Sequence, residues 1–349
     1  SAPRVPGCIT SADTCWACTM DSPVREPGAV RLPSVLRAPE PVRTSCWPRL
    51  TRQMRVVRRH PGADQLVNDC LLRKDQSMAD GGTPRKQTLA QRADLHETYE
   101  AAVQTPDAEC EYVLDTFRKI RGRAPQSFRE DFCGTASVAC EWVRGGARRT
   151  AIGVDLDPGV LDWGRRRHLA RLTPAQQQRV QLIQGDVARV RTDRVDVVGA
   201  FNFSYWVFKT RENMLRYFRR VREALNTDGV FFMDAYGGYG AYKELRETTR
   251  CKGFTYVWHQ EKYYPVTGDI LCHIDFRFPD GSKIEKAFSY DWRLWSLPEL
   301  TELLAEAGFS RTTVWWEGTS KDGGGNGIFT PENRGEADAG WVAYLIAER

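Results

Sequence analysis

The chain of 349 residues has no run of about 18 apolar residues, the length that a helix needs to span a bilayer. It also lacks a charged start followed by an apolar core and a small-residue cleavage site, the pattern of a secretory signal. Histidine is scarce, and the five histidines do not form a set of metal ligands. These absences predict a protein without a membrane segment and give no support to a metal-dependent reaction.

An excess of basic charge is also absent from most of the chain. Residues 1–77 hold 12 of the 50 Lys and Arg residues and 7 of the 45 Asp and Glu residues, so the net charge of +5 belongs to this stretch. The remainder is neutral, whereas binding to duplex nucleic acid usually needs a basic face. The sequence therefore predicts no nucleic-acid partner.

Residues 1–77 also lack a periodic apolar pattern. They contain 9 of the 18 prolines and 5 of the 10 cysteines, a composition typical of chains that do not fold. We expect a leader that is disordered or not native protein, since Met78 would make a sensible translation start. The pair Cys15 and Cys18 lacks the partners of a zinc site, and the irregular spacing of the later cysteines predicts reduced thiols in a cytoplasm.

The rest of the chain is patterned as a folded protein. Residues 78–124 predict a helical flank, and residues 125–349 predict one domain that starts with five strand–helix units in succession. This order predicts an α/β fold with a parallel sheet, right-handed crossovers and ligands at the carboxyl edge. The expected strands are Gln126–Arg129, Thr150–Val154, Val180–Ile183, Val195–Phe201 and Gly229–Met233.

Residues 239–290 alternate aromatic and polar side chains, which predicts an antiparallel insertion after the fifth strand. A helix at Leu297–Ala307, a strand at Thr312–Trp316, a Gly-rich loop at 321–340 and a closing strand at Trp341–Ala347 are expected to follow. The insertion is predicted to form a lid, and about half of the aromatic candidates for it are expected to be ordinary core. These candidates are Trp206, Tyr236, Tyr239, Trp258, Tyr263, Tyr290, Trp292 and Trp295.

The segment Phe128–Gly146, followed by Ala151–Asp157, is the most informative part of the chain. It predicts a strand, a tight turn, a helix and a second strand that ends in an acid. Asp155 lies about 20 residues beyond the turn, where a second parallel strand can present its carboxylate to the two hydroxyls of a ribose. The segment therefore predicts an adenosine-containing cofactor.

With these residues the chain resembles the class I S-adenosylmethionine-dependent methyltransferases. The resemblance is to bacterial members with an EDFCGT first motif, a GDV third motif and a late WSLPEL…EAGF segment, and it covers about residues 90–349. It implies a Rossmann-like, seven-stranded sheet with six parallel strands and a reversed last one. It also implies S-adenosylmethionine as the cofactor.

The resemblance assigns a role to each residue of the first motif. Glu130 matches the acid of that motif, and its three glycine positions are occupied by Phe132, Gly134 and Ala136, so that one glycine of three is kept. The middle position is where the backbone comes closest to a ligand. Asp155 matches the acid that binds the ribose.

Further residues are implied to contact the cofactor. Leu156 adjoins the ribose-binding acid, Asp186 matches the acid that binds the adenine amino group, and the N–H of Val187 would donate to the adenine ring. Asn202 matches the start of the fourth-strand motif. Tyr99 matches a flanking tyrosine that closes over the methionine end of the cofactor.

The expected acceptor residues are weaker predictions from residue type. Trp206 and Tyr236 would line the acceptor site, and Arg293 would bind an acceptor carboxylate. His259 and Glu261, both in the insertion, are the candidates for a general base. For both of them a polar position on a strand face is the competing interpretation.

The sequence thus predicts a metal-independent methyltransferase that acts on a small-molecule acceptor. Two alternatives stay open. A non-catalytic protein could keep the cofactor cleft as a sensor or scaffold, since in-line methyl transfer has no obligatory catalytic residue. A nicotinamide-dependent oxidoreductase would need the full glycine fingerprint and a Tyr-Lys or His constellation, and neither is found.

Overall fold

The computed structural model describes residues 87–320 and 324–349. The leader predicted for residues 1–77 lies outside the described residues, as does the start of the predicted flank. In the described part no helix has the length and apolar character needed to cross a membrane.

Three helices form the described part of the flank, residues 87–124, and two of them are separated by a helix cap. Asp94 caps the second helix by accepting a hydrogen bond from the Glu97 N–H at 3.0 Å, which stops the preceding helix. The third helix begins at Pro106 and ends at Arg121, and it is followed by Gly122, whose φ of 68° is the left-handed value that favours glycine there. The helices are α1 (Leu89–Arg92), α2 (Leu95–Val103) and α3 (Pro106–Arg121).

Within the described residues, eight strands form the main sheet. They are β1 (Ser127–Asp131), β2 (Thr150–Asp155), β3 (Val180–Gln184), β4 (Val195–Ala200), β5 (Leu225–Gly237), β10 (Arg311–Thr319), β11 (Gly325–Pro331) and β12 (Trp341–Glu348). Strands β6 (Leu245–Cys251), β7 (Phe254–Tyr264), β8 (Asp269–Arg277) and β9 (Lys283–Arg293) form a second, antiparallel sheet.

The order of the main sheet is β11-β10-β12-β5-β4-β1-β2-β3. The strands from β3 to β5 pair in parallel, and β12 lies antiparallel between β5 and β10. The predicted mixed α/β, Rossmann-like architecture is confirmed, with a mostly parallel sheet and an antiparallel one. The predicted count of seven strands is wrong, because β11 adds an eighth at the edge.

Strand β11 occupies part of the predicted Gly-rich loop, residues 321–340. It pairs antiparallel with β10, with Trp316 opposite Thr330. The Phe329 ring packs on Tyr344 of β12, with 4.7 Å between the ring centroids. The glycines in this stretch give no strand signal, and the strand is stabilised by its pairing with β10 and its contact with β12.

The remaining helices cover the main sheet. They are α4 (Ser137–Arg144), α5 (Pro158–Arg167), α6 (Pro174–Gln177), α7 (Arg211–Ala224) and α8 (Leu297–Glu306). Strand β4 is buried along its whole length, as expected for a central strand with both faces covered. One large apolar core joins the inner face of the antiparallel sheet to the main sheet.

Candidate functional site

The carboxyl ends of β1, β2 and β3 lie side by side. Asp131 pairs with Val154, and Asp155 pairs with Gln184. The carbonyl oxygen of Asp155 accepts a hydrogen bond from the Gly185 N–H at 2.9 Å. The register therefore places the loop after β1, Asp155 and the loop that contains Asp186 at one edge of the sheet.

The loop after β1 is built from left-handed residues at alternate positions. The φ angles of Phe132, Gly134 and Ala136 are 56°, 53° and 57°. Residues other than glycine rarely adopt this conformation. The loop thus has left-handed backbone at all three glycine positions of the motif, although two of them carry side chains.

Helix α5 packs closely against this loop. Gly164 makes the approach possible, because an added Cβ would overlap the carbonyl oxygen of Thr135. Asp157 caps the helix by accepting the N–H of Gly159 at 2.8 Å, with Pro158 at the first helical position.

The carboxylate of Asp155 is held against the loop. Its Oδ2 accepts the N–H of Gly134 at 2.7 Å, and its Oδ1 accepts the N–H of Asp157 at 3.0 Å. Leu156, the next residue, is 51% exposed. The carboxylate is therefore fixed at the edge by backbone donors on both sides.

Glu130 lies deeper, with no exposed surface. Its Oε2 accepts the N–H of Ala139 in α4 at 3.1 Å, and negative charge near the first turn of a helix is stabilising. The structure thus places Glu130 where it joins β1 to α4.

Asp186 and Val187 follow β3. The Oδ1 of Asp186 accepts the N–H of Ala188 at 2.9 Å, and Val187 is buried. The carbonyl oxygen of Val187 accepts a hydrogen bond from the buried Arg129 guanidinium at 3.4 Å. Arg129 of β1 therefore holds this loop in place.

Asn202 is fully buried at the end of β4, with a φ of 61°. The N–H groups of Asn202 and Phe203 donate to the two carboxylate oxygens of Asp234, at 2.7 and 2.9 Å. The carboxamide atoms of Asn202, Oδ1 and Nδ2, have no hydrogen-bond partner among the described residues. Burial raises the pKa of the Asp234 carboxyl to about 7, against the opposing effect of the two N–H donors.

Asp234 is a residue of this site that the sequence interpretation missed. It comes directly after the predicted fifth strand, Gly229–Met233, which was a signal for the sheet edge, but its residue type alone gives no hint of the two backbone donors. The left-handed angles of Asn202 and Phe203 create that arrangement.

Tyr99, Trp206 and Tyr236 are all buried. Tyr99 of α2 contacts Phe288 of β9, with 5.0 Å between the ring centroids. Trp206 and Tyr236 pack on each other at 4.8 Å, and Phe203 contacts Tyr236 at 4.8 Å. These aromatic candidates therefore lie in the core that joins β4 and β5 to the antiparallel sheet.

Arg293 is engaged by other side chains. Its guanidinium stacks over Trp295 at 3.8 Å and donates to the Glu299 carboxylate at 2.7 Å. Tyr236 and Trp295 also line a cavity of about 280 Å³ beside the end of β5, together with Tyr242, Trp316 and Trp341.

His259 and Glu261 lie on the outer face of the antiparallel sheet, where His259 pairs with His273. Successive residues of a strand point to opposite faces, and Tyr256 and Trp258 of the same strand lie in the core. The Oε2 of Glu261 forms an ion pair with Lys286 at 2.7 Å and lies 2.8 Å from the Nε2 of His273. These contacts lower the pKa of Glu261, with Lys286 as the larger cause, whereas burial lowers the pKa of His259.

Comparison with known proteins gives one family match. Residues 131–233, from the end of β1 to the middle of β5, match the family model described as a methyltransferase domain. No curated protein sequence matches the chain.

Solved structures give a broader match of fold. An S-adenosylmethionine-dependent methyltransferase from Clostridium acetobutylicum ATCC 824 is 12% identical, with a TM-score of 0.52, and the match covers 82% of this chain and 98% of that one. CalS10, an amino pentose methyltransferase from Micromonospora echinaspora, is 14% identical, with a TM-score of 0.52 and coverage of 77% and 100%. DesVI of Streptomyces venezuelae is 17% identical, with a TM-score of 0.52 and coverage of 75% and 99%.

The fold of this chain is therefore the one found in S-adenosylmethionine-dependent methyltransferases. The family match and the shared fold together support the class I methyltransferase family that the sequence suggested. The finer resemblance to members with an EDFCGT motif stays a prediction.

Proposed function

We propose that this protein is an S-adenosylmethionine-dependent methyltransferase with a small-molecule acceptor. The observation that carries the proposal is the hydrogen bond from the Gly134 N–H to the Asp155 carboxylate, 2.7 Å long. It joins the first-motif loop to the acid at the end of β2, the two parts of the site that an adenosine cofactor needs at one edge.

The residues at this edge fit the cofactor. Asn202 has a fully buried carboxamide whose polar atoms lack partners among the described residues, a costly state that a bound ligand would relieve. A carboxylate such as Asp155 can accept from both hydroxyls of a ribose. In this proposal Asp186 and Val187 bind the adenine, and Tyr99 and Phe132 enclose the methionine end.

S-adenosylmethionine supplies a methyl group on a positively charged sulfur, from which transfer is an in-line displacement. The protein has to align the acceptor and exclude water, and alignment alone is worth about 7–11 kcal/mol in well-oriented systems. The buried rings of Trp206 and Tyr236 suit that task, because aromatic faces tolerate a cation.

A small acceptor is supported by the antiparallel sheet, which packs its inner face into the core beside this edge and favours an enclosed site. CalS10, which shares the fold, is described as an amino pentose methyltransferase. His259 and Glu261 have no part in the proposal, because their side chains lie on the outer face.

Calorimetry with S-adenosylmethionine, S-adenosylhomocysteine and NAD tests the proposal. We expect the first two ligands to bind and NAD to give no heat of binding. Binding of NAD alone would contradict the proposal and favour an oxidoreductase.

A second measurement separates an enzyme from a sensor that keeps the cofactor cleft. A cell extract incubated with the protein and S-adenosylmethionine should contain a molecule that gains the mass of one methylene, about 14 mass units, consistent with a methyl replacing a hydrogen. Cofactor binding without any methylated product would favour the non-catalytic alternative.

A further inference from the structure

One face of helix α2 carries a stripe of polar side chains. Asp94, Glu97, Glu100 and Gln104 are three or four residues apart, the spacing that places side chains on one face of a helix. The opposite face is apolar and joins the main core, where Tyr99 contacts the antiparallel sheet. The helix thus makes polar contacts on one side and apolar contacts on the other.

The polar stripe of α2 contacts two helices of the main sheet. Glu97 forms an ion pair with Arg167 of α5 at 2.8 Å. Gln104 accepts a hydrogen bond from the hydroxyl of Ser137 at 2.6 Å, and Ser137 is the first residue of α4, directly after the loop of residues 132–136. Helix α2 is therefore docked on both helices, and Glu100 lies between these two contacts.

Glu100 contacts the loop of residues 132–136 itself. Its Oε1 accepts a hydrogen bond from the Thr135 hydroxyl at 2.5 Å, and the Nε2 of His168, the residue after α5, lies 2.6 Å from the same oxygen. Thr135 lies between Gly134 and Ala136 and is buried. One carboxylate oxygen thus joins the helical flank, the loop and the end of α5.

The loop contains strained backbone, because Phe132 and Ala136 have left-handed φ angles that residues other than glycine rarely adopt. Such backbone persists only where the surrounding structure determines it. The two residues between them are held from different sides. Asp155 accepts the N–H of Gly134, and helix α2 accepts the hydroxyl of Thr135. The loop therefore depends on the flank as well as on the acid proposed to bind the ribose.

We propose that Glu100 is a positioning residue for the cofactor, an inference that rests on the proposed function. In that function Tyr99 and Phe132 enclose the methionine end of S-adenosylmethionine. Tyr99 is the neighbour of Glu100 in α2, and Phe132 belongs to the loop that Glu100 holds through Thr135. Glu100 thus fixes the two sides of the site relative to each other, and it does so without touching the cofactor.

The expected contribution of Glu100 is preorganisation of the site. A loop that is already ordered in the free protein loses less entropy when a ligand binds. In Glu100→Ala the Thr135 hydroxyl loses its acceptor, so the loop and α2 are no longer joined at this point. We expect this variant to bind S-adenosylmethionine about tenfold more weakly, the scale of one hydrogen bond to a carboxylate.

A double-mutant cycle of cofactor binding tests the inference. Calorimetry measures the affinity for S-adenosylmethionine of the wild type, Glu100→Ala, Thr135→Val and the double variant. Each single change removes the same hydrogen bond, so the double variant should bind about tenfold more weakly than the wild type, instead of about a hundredfold. Additive effects would overturn the inference, because the two residues would then act on the cofactor separately.

Conservative changes at the same two positions should restore binding. Thr135→Ser keeps the hydroxyl, and Glu100→Gln keeps an oxygen that can accept from it. Both variants should bind S-adenosylmethionine within about threefold of the wild type. If Thr135→Ser binds as weakly as Thr135→Val does, the hydroxyl has no part in binding and the inference is wrong.

Glu97→Ala is the matched control, because it removes a carboxylate from the same face of α2 that contacts α5 instead of the loop. The ion pair of Glu97 with Arg167 is exposed, and exposed pairs contribute little. This variant should bind S-adenosylmethionine as the wild type does. Equal weakening in Glu97→Ala and Glu100→Ala would overturn the inference, since any loosening of α2 would then lower the affinity.

Thermal unfolding without cofactor separates binding from stability. Each variant should be fully folded at the temperature of the binding measurement. If Glu100→Ala does not fold, the comparison of Thr135→Val with Thr135→Ser still tests the hydroxyl. Failure of the wild type to bind S-adenosylmethionine would overturn the proposed function, whereas equal affinity in the wild type and Glu100→Ala would overturn this inference alone.

Discussion

Arg129 and Asp131 form an ion pair within β1, with 2.7 Å between Nε and Oδ1 and no exposed surface on either side chain. Asp131 also accepts the hydroxyl of Tyr217 at 3.0 Å, and Arg129 donates to the carbonyl oxygen of Val187. Burial raises the pKa of Asp131, and the charge of Arg129 opposes that effect. The pair therefore connects α7 to the loop that holds Asp186.

Removal of Arg129 should be strongly destabilising. Arg129→Met leaves the buried Asp131 carboxylate without its cation, and breaking a buried pair in this way costs about 3–5 kcal/mol. Urea unfolding measures this loss. The double variant Arg129→Met with Asp131→Asn carries no buried charge and keeps an acceptor for Tyr217, so it should recover most of the stability; an equal loss in both variants would contradict the explanation.

Asp155 should govern cofactor affinity. Asp155→Ala removes the carboxylate proposed to accept from the ribose, and hydrogen bonds to charged groups are worth about 1.5–3 kcal/mol. We expect the affinity for S-adenosylmethionine, measured by calorimetry, to fall by that amount. Asp157→Ala is the control: it removes a helix cap and should reduce stability by about 1 kcal/mol with little effect on affinity. Unchanged affinity in Asp155→Ala would refute the assignment.

Replacing Ala136 with glycine should stabilise the folded protein. Its φ of 57° strains an alanine by about 1–2 kcal/mol, and glycine relieves that strain, although it also adds entropy to the unfolded chain. Ala136→Gly should therefore raise the free energy of unfolding by up to about 1 kcal/mol. In Ala139→Gly, within α4, the sign should be opposite because helical backbone disfavours glycine. Destabilisation by both changes would show that the left-handed loop is not strained.

Asp234 should make stability depend on pH. Its pKa is raised from 3.8 to about 7 in the folded protein, so between these two values the folded chain binds a proton that the unfolded chain has lost. Stability from this group is full at low pH and is lost as pH rises towards 7. In Asp234→Asn this slope is absent, so the stability difference between wild type and variant, from urea unfolding, should change across this range. A constant difference would contradict the expectation.

The main strands could be predicted because their signals are local. Val195–Ala200 is apolar except for Asp196, and central strands of a parallel sheet are typically apolar runs of this kind. Asp155 could be placed at the edge because the length of the preceding turn and helix sets where the second strand ends. Strand β11 could not be predicted from its own glycine-rich sequence, since it is stabilised by the packing of Phe329 on Tyr344 in another strand.

The candidate base was the least predictable feature. His259 and Glu261 have suitable chemistry, but a strand places alternate residues on opposite faces, and the residue type does not tell which face is inner. The structure resolves this, because Tyr256 and Trp258 of the same strand lie in the core.

The left-handed loop of Phe132, Gly134 and Ala136 has a consequence for how such proteins are recognised. Glycine-rich fingerprints record an amino acid, whereas the ligand responds to backbone torsion angles. A chain that reaches those angles with phenylalanine and alanine keeps the shape of the turn without keeping the glycine pattern. When turns of this kind are compared, their backbone torsion angles are therefore more informative than their glycine content.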